Sequence, residues 1–389
     1  MHFMYSFDDV IDRRNTHSLK WDATERIFGV KDVLPMWVAD MDFPAPPAVI
    51  EALNKRVEHG IFGYTIIPDS LKNAVKHWLQ SRHQWEIETS WLSFSTGVIP
   101  AIATAIEAFT NEEDRIVVLT PVYPPLFQLV KKHRRTLVTS SLRLAETQYE
   151  IDWDDFEEKI RGAKLLVLCS PHNPGGRVWT KEELIKIGEL CVEHGVIVIS
   201  DEIHADLTLP PYQHVPFASI DPAFAEKSVT CIAPTKTFNL AGLQAAAAII
   251  PNETLKRQFN NVQQRQGILT LNTFAVAGAE AAYQHGGEWL DALLPYLQKN
   301  INLLCSYIET NLPKLRVIRP EATYLVWVDC RPLGKTERQL KQLLLEKGKI
   351  AVEFGSKFGE EGRGFIRINI ACPQKTLEDA LHRLTAALQ

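Results

Sequence analysis

Four short polar segments, each just after an apolar run of strand character, hold the residues with the most chemistry in them. Residues 120–123 (TPVY) follow 115–119 (RIVVL), 170–176 (SPHNPGG) follow 164–168 (KLLVL), 200–204 (SDEIH) follow 196–199 (VIVI), and 233–236 (APTK) follow 228–232 (SVTCI). They offer an aromatic face in Tyr123, an amide in Asn173, a carboxylate in Asp201 and an amine in Lys236. Taken singly, each has an ordinary explanation. A lone lysine is usually solvated, Asp-Glu after a strand usually caps a turn, Asn-Pro-Gly-Gly is turn chemistry, and a tyrosine in a Pro-rich loop usually packs. In an open α/β sheet, however, ligands bind beyond the carboxyl ends of the strands, so four such ends can surround one pocket.

One cofactor, pyridoxal phosphate, needs all four residue types together. Its aldehyde takes a lysine amine as a Schiff base, and its pyridine nitrogen needs a carboxylate that keeps it protonated and makes the ring an electron sink. Its phosphate needs a helix N-terminus or hydroxyls, and its phenolic oxygen needs donors. The phosphate candidate is residues 95–99 (STGVI), which follow the β-like run 91–94 and open an apolar helix over 101–109. Backbone N–H groups at such a start can cradle an anion, although a Thr-Gly helix start by itself is usually structural. A nicotinamide cofactor would suit a similar sheet. Residues 359–364 (GEEGRG), however, have the wrong order for GxGxxG and precede a strand, so they read as a flexible connection.

The elements that must position these residues are legible in the pattern. The four runs are short, β-branched and apolar on both faces, as buried parallel strands are. Amphipathic stretches alternate with them, among them 180–193, opened by a capping box in Thr180-Lys181-Glu182-Glu183. Helical patterning continues over 273–283 and 289–311. The last 80 or so residues change character, with strands expected at 317–318, 324–328 and 364–370 and helices at 337–347 and 376–388. The first 45 residues, rich in aromatics and proline, read as an extended arm.

Composition sets the outer limits. A chain of 389 residues, 46% hydrophobic and 23% charged, is expected to fold into two or three globular domains. With 42 basic against 47 acidic residues there is no global positive field for nucleic acid or an anionic membrane. The one basic run, 131–135, reads as a solvated helix end. The six cysteines form no CxxC pair and no HExxH occurs, so no metal site is expected. Reduced cysteines in apolar runs, and Asp8, Asp9 and Asp12 where a signal peptide needs an apolar stretch, point to the cytoplasm. The apolar stretch 245–250 is far too short to span a membrane.

Residues 170–176, 200–204, 235–244 (TKTFNLAGLQ) and 365–370 (FIRINI) together resemble the fold type I pyridoxal-phosphate enzymes, the aspartate-aminotransferase-like group. The resemblance runs from about residue 34 to the C-terminus. It implies an α/β fold with a mostly parallel central sheet in a large domain, 46–287, and a smaller α+β domain, 288–389, to which the arm 1–45 belongs. Lys236 is then the cofactor lysine and Asp201 the partner of the pyridine nitrogen. Asn173 and His204 act toward the phenolic oxygen, Tyr123 stacks on the ring, and Thr96, Gly97, Val98 and Thr235 hold phosphate. Arg367 matches the arginine that grips the substrate carboxylate, for which its planar fork is suited. Tyr64 matches a tyrosine that reaches the phosphate of a neighbouring subunit, which implies a homodimer with shared active sites. The chain departs from the pattern at Gln244, where an arginine is expected to bind phosphate, and at Ala233, where serine is common.

The runs 34–44 (LPMWVADMDFP) and 59–65 (HGIFGYT) look like the cystathionine beta-lyase, or cysteine-S-conjugate beta-lyase, branch. Residues 37–41, with Ala39 among them, then line the substrate entrance. The expected reaction is β-elimination at an amino-acid thioether, giving a thiol, pyruvate and ammonia. An aminotransferase would use the same residues, and a catalytically idle protein of this fold is a third reading. Intact Lys236, Asp201, Asn173 and Arg367 speak against the last.

Overall fold

The computed structural model describes residues 5–389. Its central element is a seven-stranded sheet in the order Leu92–Ser95, Ala246–Ile249, Ser228–Ile232, Ile197–Asp201, Leu165–Cys169, Arg115–Thr120, Thr136–Ser141. The four strands expected from the sequence lie side by side and pair in parallel. Their ends at Thr120, Cys169, Asp201 and Ile232 therefore share one edge, where the four polar segments emerge together. Leu165–Cys169 and Ser228–Ile232 are buried at every position, which explains why neither alternates with polar residues. Ala246–Ile249, an apolar run too short for a membrane, is the antiparallel strand that joins Leu92–Ser95 to the rest. Among the described residues no helix is long and apolar enough to cross a membrane.

Local chemistry sets the helix starts. Lys181–Glu193 opens with both bonds of the capping box, Glu183 N to Thr180 Oγ1 at 3.2 Å and Thr180 N to Glu183 Oε2 at 2.7 Å. It buries Leu184, Ile187 and Cys191, a helical spacing, against the sheet. Val98–Phe109 buries Ala101, Ile102, Ala105 and Ile106 on the other face. The basic run ends the helix Pro124–Lys132 as expected, but it is not wholly solvated: Arg135 turns in to donate to the Thr110 hydroxyl at 2.8 Å and carbonyl at 2.6 Å.

A second, antiparallel sheet runs Arg316–Ile318, Leu325–Asp329, Phe365–Asn369, Glu353–Phe354. Trp327 is fully buried in it, stacked on Phe365 and edge-on to Phe358, with both ring centroids at 5.1 Å. The arm is not merely extended. It forms the short helices Leu19–Asp22 and Thr24–Phe28, and Leu34–Pro35 pairs in parallel with Ile350–Ala351. Phe7 packs among Phe43, Trp289 and Tyr296. Lys20 is buried because its Nζ meets Asp42 Oδ2 at 2.7 Å, while Arg13 grips Asp40 and Asp42.

The segment 359–364 corrects the expectation of a flexible connection. Turns at Gly355–Phe358 and Glu360–Gly362 bring two glycines together so tightly that a Cβ on Gly355 would fall 1.9 Å from the Gly362 carbonyl oxygen. Glu361 accepts from the Thr120 hydroxyl at 2.9 Å and from Ser141, which stitches this turn to the edge of the large sheet. The Phe358 carbonyl likewise accepts from Val122 N at 2.9 Å.

Candidate active site

At the shared strand edge lies a cavity of about 200 Å³. It is lined by Thr96, Gly97, Val98, Tyr123, Asn173, Asp201, His204, Thr235 and Lys236, with Ala39 of the arm across from them.

Lys236 sits on the one-turn helix Pro234–Thr237, which Pro234 starts at a position where its missing N–H costs nothing. Its Nζ donates to the Ala39 carbonyl at 2.5 Å. Burial, with the nearby Arg367 charge, pushes its pKa down to about 8. The next residue, Thr237, is fully buried and donates to Asp206 at 2.7 Å; Asp206 also takes Trp78 Nε1 at 2.9 Å and His83 Nε2 at 2.7 Å. The turn that carries the lysine is thereby tied to the helix Asp69–His83.

Asp201 ends its strand and faces the cavity, whereas Glu202 serves structure and accepts from Ser200 Oγ, Phe217 N and His214 Nε2. Among the described residues the only hydrogen bond to an Asp201 carboxyl oxygen is a long one from Ile203 N at 3.3 Å. Burial, abetted by the Glu202 charge, raises its pKa to about 7. A buried carboxylate without a strong donor is one that a cationic ring nitrogen would hold ionised. His204 is also buried, and burial together with the Lys236 and Arg367 charges lowers its pKa to about 3, so its ring is neutral. Its Nδ1 has no partner.

Asn173 joins the two ends of the site. Its carbonyl accepts from Tyr123 N at 3.0 Å and its Oδ1 from Arg367 Nη1 at 3.0 Å. Burial raises the Tyr123 phenol pKa. Arg367 is only 3% exposed, lies 4.9 Å from the Phe358 ring centre, and donates through Nη2 to the Trp37 carbonyl at 3.2 Å. Arg367 is not itself among the cavity-lining residues but meets the lining through Asn173, and among the described residues its buried Nε has no acceptor.

Gly97 caps the helix Val98–Phe109 with extended backbone and no side-chain hydrogen bond. The first N–H groups of a helix have no acceptor within it, and here the cavity lies against them. Ser95 Oγ just behind is buried without a partner. Tyr64 is the one expected residue the single chain does not bring in. It is fully exposed on an extended segment whose neighbours Ile61, Phe62 and Ile66 are exposed too. Tyr324, whose hydroxyl donates to the Ala39 carbonyl at 3.1 Å and whose ring meets His204 edge-on, stands behind two lining residues and was not expected there. The only signal for it was an aromatic at the start of a small-domain strand, which packing explains as well.

A seven-stranded, mainly parallel sheet with a half-buried lysine and a buried aspartate at one edge defines an aminotransferase-type fold, and the family model for aminotransferase class I and II matches residues 31–384. The chain belongs to that family. It is 48% identical to the cystathionine beta-lyase PatB of Bacillus subtilis over 98% of this chain and 100% of that one. Among solved structures it resembles cystalysin from Treponema denticola, which contains a pyridoxal 5′-phosphate cofactor (TM-score 0.96, 37% identity, 99% of each chain). It also resembles the pyridoxal-phosphate-bound C-S lyase of Staphylococcus hominis (TM-score 0.92, 33% identity, 99% of this chain and 98% of that one).

Proposed function

We propose that this protein is a pyridoxal-phosphate-dependent carbon-sulfur β-lyase that cleaves cystathionine or a related cysteine thioether to a thiol, pyruvate and ammonia. The pairing of Lys236 and Asp201 in one cavity, each shifted by burial toward neutrality, supports the cofactor, and the observation that carries the lyase reading over an aminotransferase is the 48% identity to the cystathionine beta-lyase PatB along nearly the whole chain. The side chains fit the cofactor. Lys236 would take its aldehyde, Asp201 its ring nitrogen, Asn173 and His204 its phenolic oxygen, Tyr123 its face, and Thr96, Gly97, Val98 and Thr235 its phosphate, all of them lining the one cavity. When bound, pyridoxal phosphate supplies an aldehyde for the substrate amine and a ring that accepts the electron pair released at Cα.

The chain's own residues do the rest. Arg367, which reaches the cavity wall through its bond to Asn173, holds the substrate carboxylate, and Ala39 lines the cavity. Lys236 would be the base that removes the Cα proton, and a pKa near 8 leaves a useful neutral fraction for that work. The thiolate then leaves from Cβ.

Residues 46–287 form the cofactor domain, and 288–389 with the arm form a second unit that carries Arg367; of the expected arm 1–45, residues 1–4 lie outside the described residues. The working form is a homodimer in which Tyr64 reaches the partner's phosphate. Support comes from the exposed apolar segment around Tyr64 and from Leu269, 78% exposed beside it, where Thr270 Oγ1 donates to the Thr65 carbonyl at 3.2 Å. A cytoplasmic setting suits six free cysteines, five of them buried. The deciding experiment is incubation of the holoenzyme with cystathionine and no keto acid. Pyruvate and free thiol are expected in equal amounts, and Lys236→Ala should lose both them and the visible band of the bound cofactor. Absence of both products with wild type sinks the lyase reading, and a band that survives Lys236→Ala sinks the site assignment.

A further inference from the structure

Where the arm crosses the cavity it forms a strap, and side chains take its backbone oxygens one after another. Arg367 Nη2 holds the Trp37 carbonyl, and Asn369 Nδ2 donates to the carbonyls of Val38 at 2.6 Å and Asp40 at 2.5 Å. Between them the Ala39 carbonyl receives both Lys236 Nζ and the Tyr324 hydroxyl. Asn239 grips the far end with both amide atoms. Its Oδ1 accepts from Met41 N at 2.9 Å, and its Nδ2 donates to the carbonyls of Met41 at 3.0 Å and Phe43 at 2.9 Å.

Each asparagine stands a fixed step from a residue that does chemistry. Asn369 is two residues after Arg367 on one strand, so both side chains leave the same face. Asn239 is three residues after Lys236 and holds φ 58°, a left-handed backbone that asparagine tolerates better than most residues. Functional residue and strap grip are thus built into one short segment in each case.

We propose that Asn239 and Asn369 are positioning residues that fix the strap so that the Ala39 carbonyl gives the Lys236 amine a single seat beside the substrate. The inference rests on Lys236 being the base assigned above. A freed lysine amine swings on four methylenes, and the rate of a proton transfer depends on how often it points the right way. The Ala39 carbonyl restricts it, because Tyr324 occupies one of the two lone pairs and leaves one for the amine. That carbonyl cannot turn, since the peptide oxygens on either side are held by one Asn369 amide.

The test uses holoenzyme carrying Asn239→Gly, which keeps the left-handed backbone and removes only the side chain, or Asn369→Ala. The control is Thr110→Ala, which deletes a buried side chain bonded to Ile106 and Arg135 far from the strap. In both asparagine variants kcat for pyruvate release should fall about 10- to 100-fold with KM within about threefold. Deuterium exchange across residues 37–43 should rise and the visible cofactor band should remain. Thr110→Ala should lower Tm and move neither kcat nor exchange. Where a truncation fails to accumulate, Asn239→Asp and Asn369→Asp keep the volume, replace the donor by an acceptor, and should give the same result. Variants that keep kcat within about twofold of wild type while strap exchange rises overturn the inference, as does exchange that stays unchanged. A wild-type protein without the band overturns the cofactor reading and this inference with it. A banded wild type with unmoved variants overturns the inference alone.

Discussion

Replacing Arg367 by lysine keeps a positive charge at the carboxylate site and removes its geometry. The guanidinium already spends Nη1 on Asn173 and Nη2 on the Trp37 carbonyl, and its Nε is buried and free. A lysine ammonium can reach one acceptor as a point charge but cannot satisfy both protein oxygens and a substrate carboxylate in one plane. One charge-assisted hydrogen bond to the substrate is then lost, worth about 1.5–3 kcal/mol. At about 1.4 kcal/mol per tenfold, this weakens carboxylate binding roughly 10- to 150-fold. The assay compares two ligands of the holoenzyme by their change in visible absorbance. L-Alanine has the carboxylate and no sulfur to lose, and ethylamine lacks the carboxylate. Alanine should weaken by the full factor and ethylamine by no more than about twofold. Equal weakening of both would place Arg367 in the service of the cofactor rather than the substrate. No weakening of either would mean that the carboxylate is held elsewhere, and both results refute the assignment.

Other consequences follow from burial and exposure. The folded pKa of Asp201 is raised from 3.8 to about 7, so the cofactor-free protein is favoured at low pH, and that contribution is lost as pH rises from about 4 through 7. The gap corresponds to roughly 4 kcal/mol. Asp201→Asn should therefore raise the Tm of the cofactor-free protein at pH 8, with the advantage vanishing near pH 4, and should abolish lyase activity at every pH. Trp327→Ala removes a fully buried ring stacked on Phe365 and should cost about 3–5 kcal/mol in urea unfolding. Sedimentation should show a dimer, and Tyr64→Ala should weaken pyridoxal phosphate about tenfold or more through loss of one phosphate hydrogen bond.

The site was legible in the sequence because its residues sit at strand ends, and parallel strands deliver their ends to one edge. Asp201 and Lys236 stood out only as members of a set of four strand ends, and Thr96, Gly97 and Val98 only once that set called for a phosphate site; the fold gathers all of them around one cavity. The antiparallel strand Ala246–Ile249 was not legible, because a run of alanines carries neither β-branching nor alternation, and its pairing with Leu92–Ser95 is a tertiary matter. Tyr324 and the two asparagines were missed for a different reason. Their partners are backbone atoms of the arm, and backbone acceptors leave no trace in residue types. The segment 359–364 looked flexible because glycine and glutamate favour exposed loops, whereas Gly362 is there for a close backbone approach to Gly355.

Phe358 touches both halves of the chemistry: its carbonyl holds the loop that presents Tyr123, and its ring lies beneath the Arg367 guanidinium. A substitution at Phe358 therefore removes only the ring beneath the guanidinium, since the backbone carbonyl that holds Val122 N is kept by any residue, and under the roles proposed above it should disturb carboxylate recognition and spare cofactor stacking. Selection or engineering for a new thioether has a freer hand elsewhere in the pocket, on the Ile99, Pro100 and Ile203 side, where the lining side chains are apolar and no ion pair or hydrogen-bonded carboxylate has to be rebuilt.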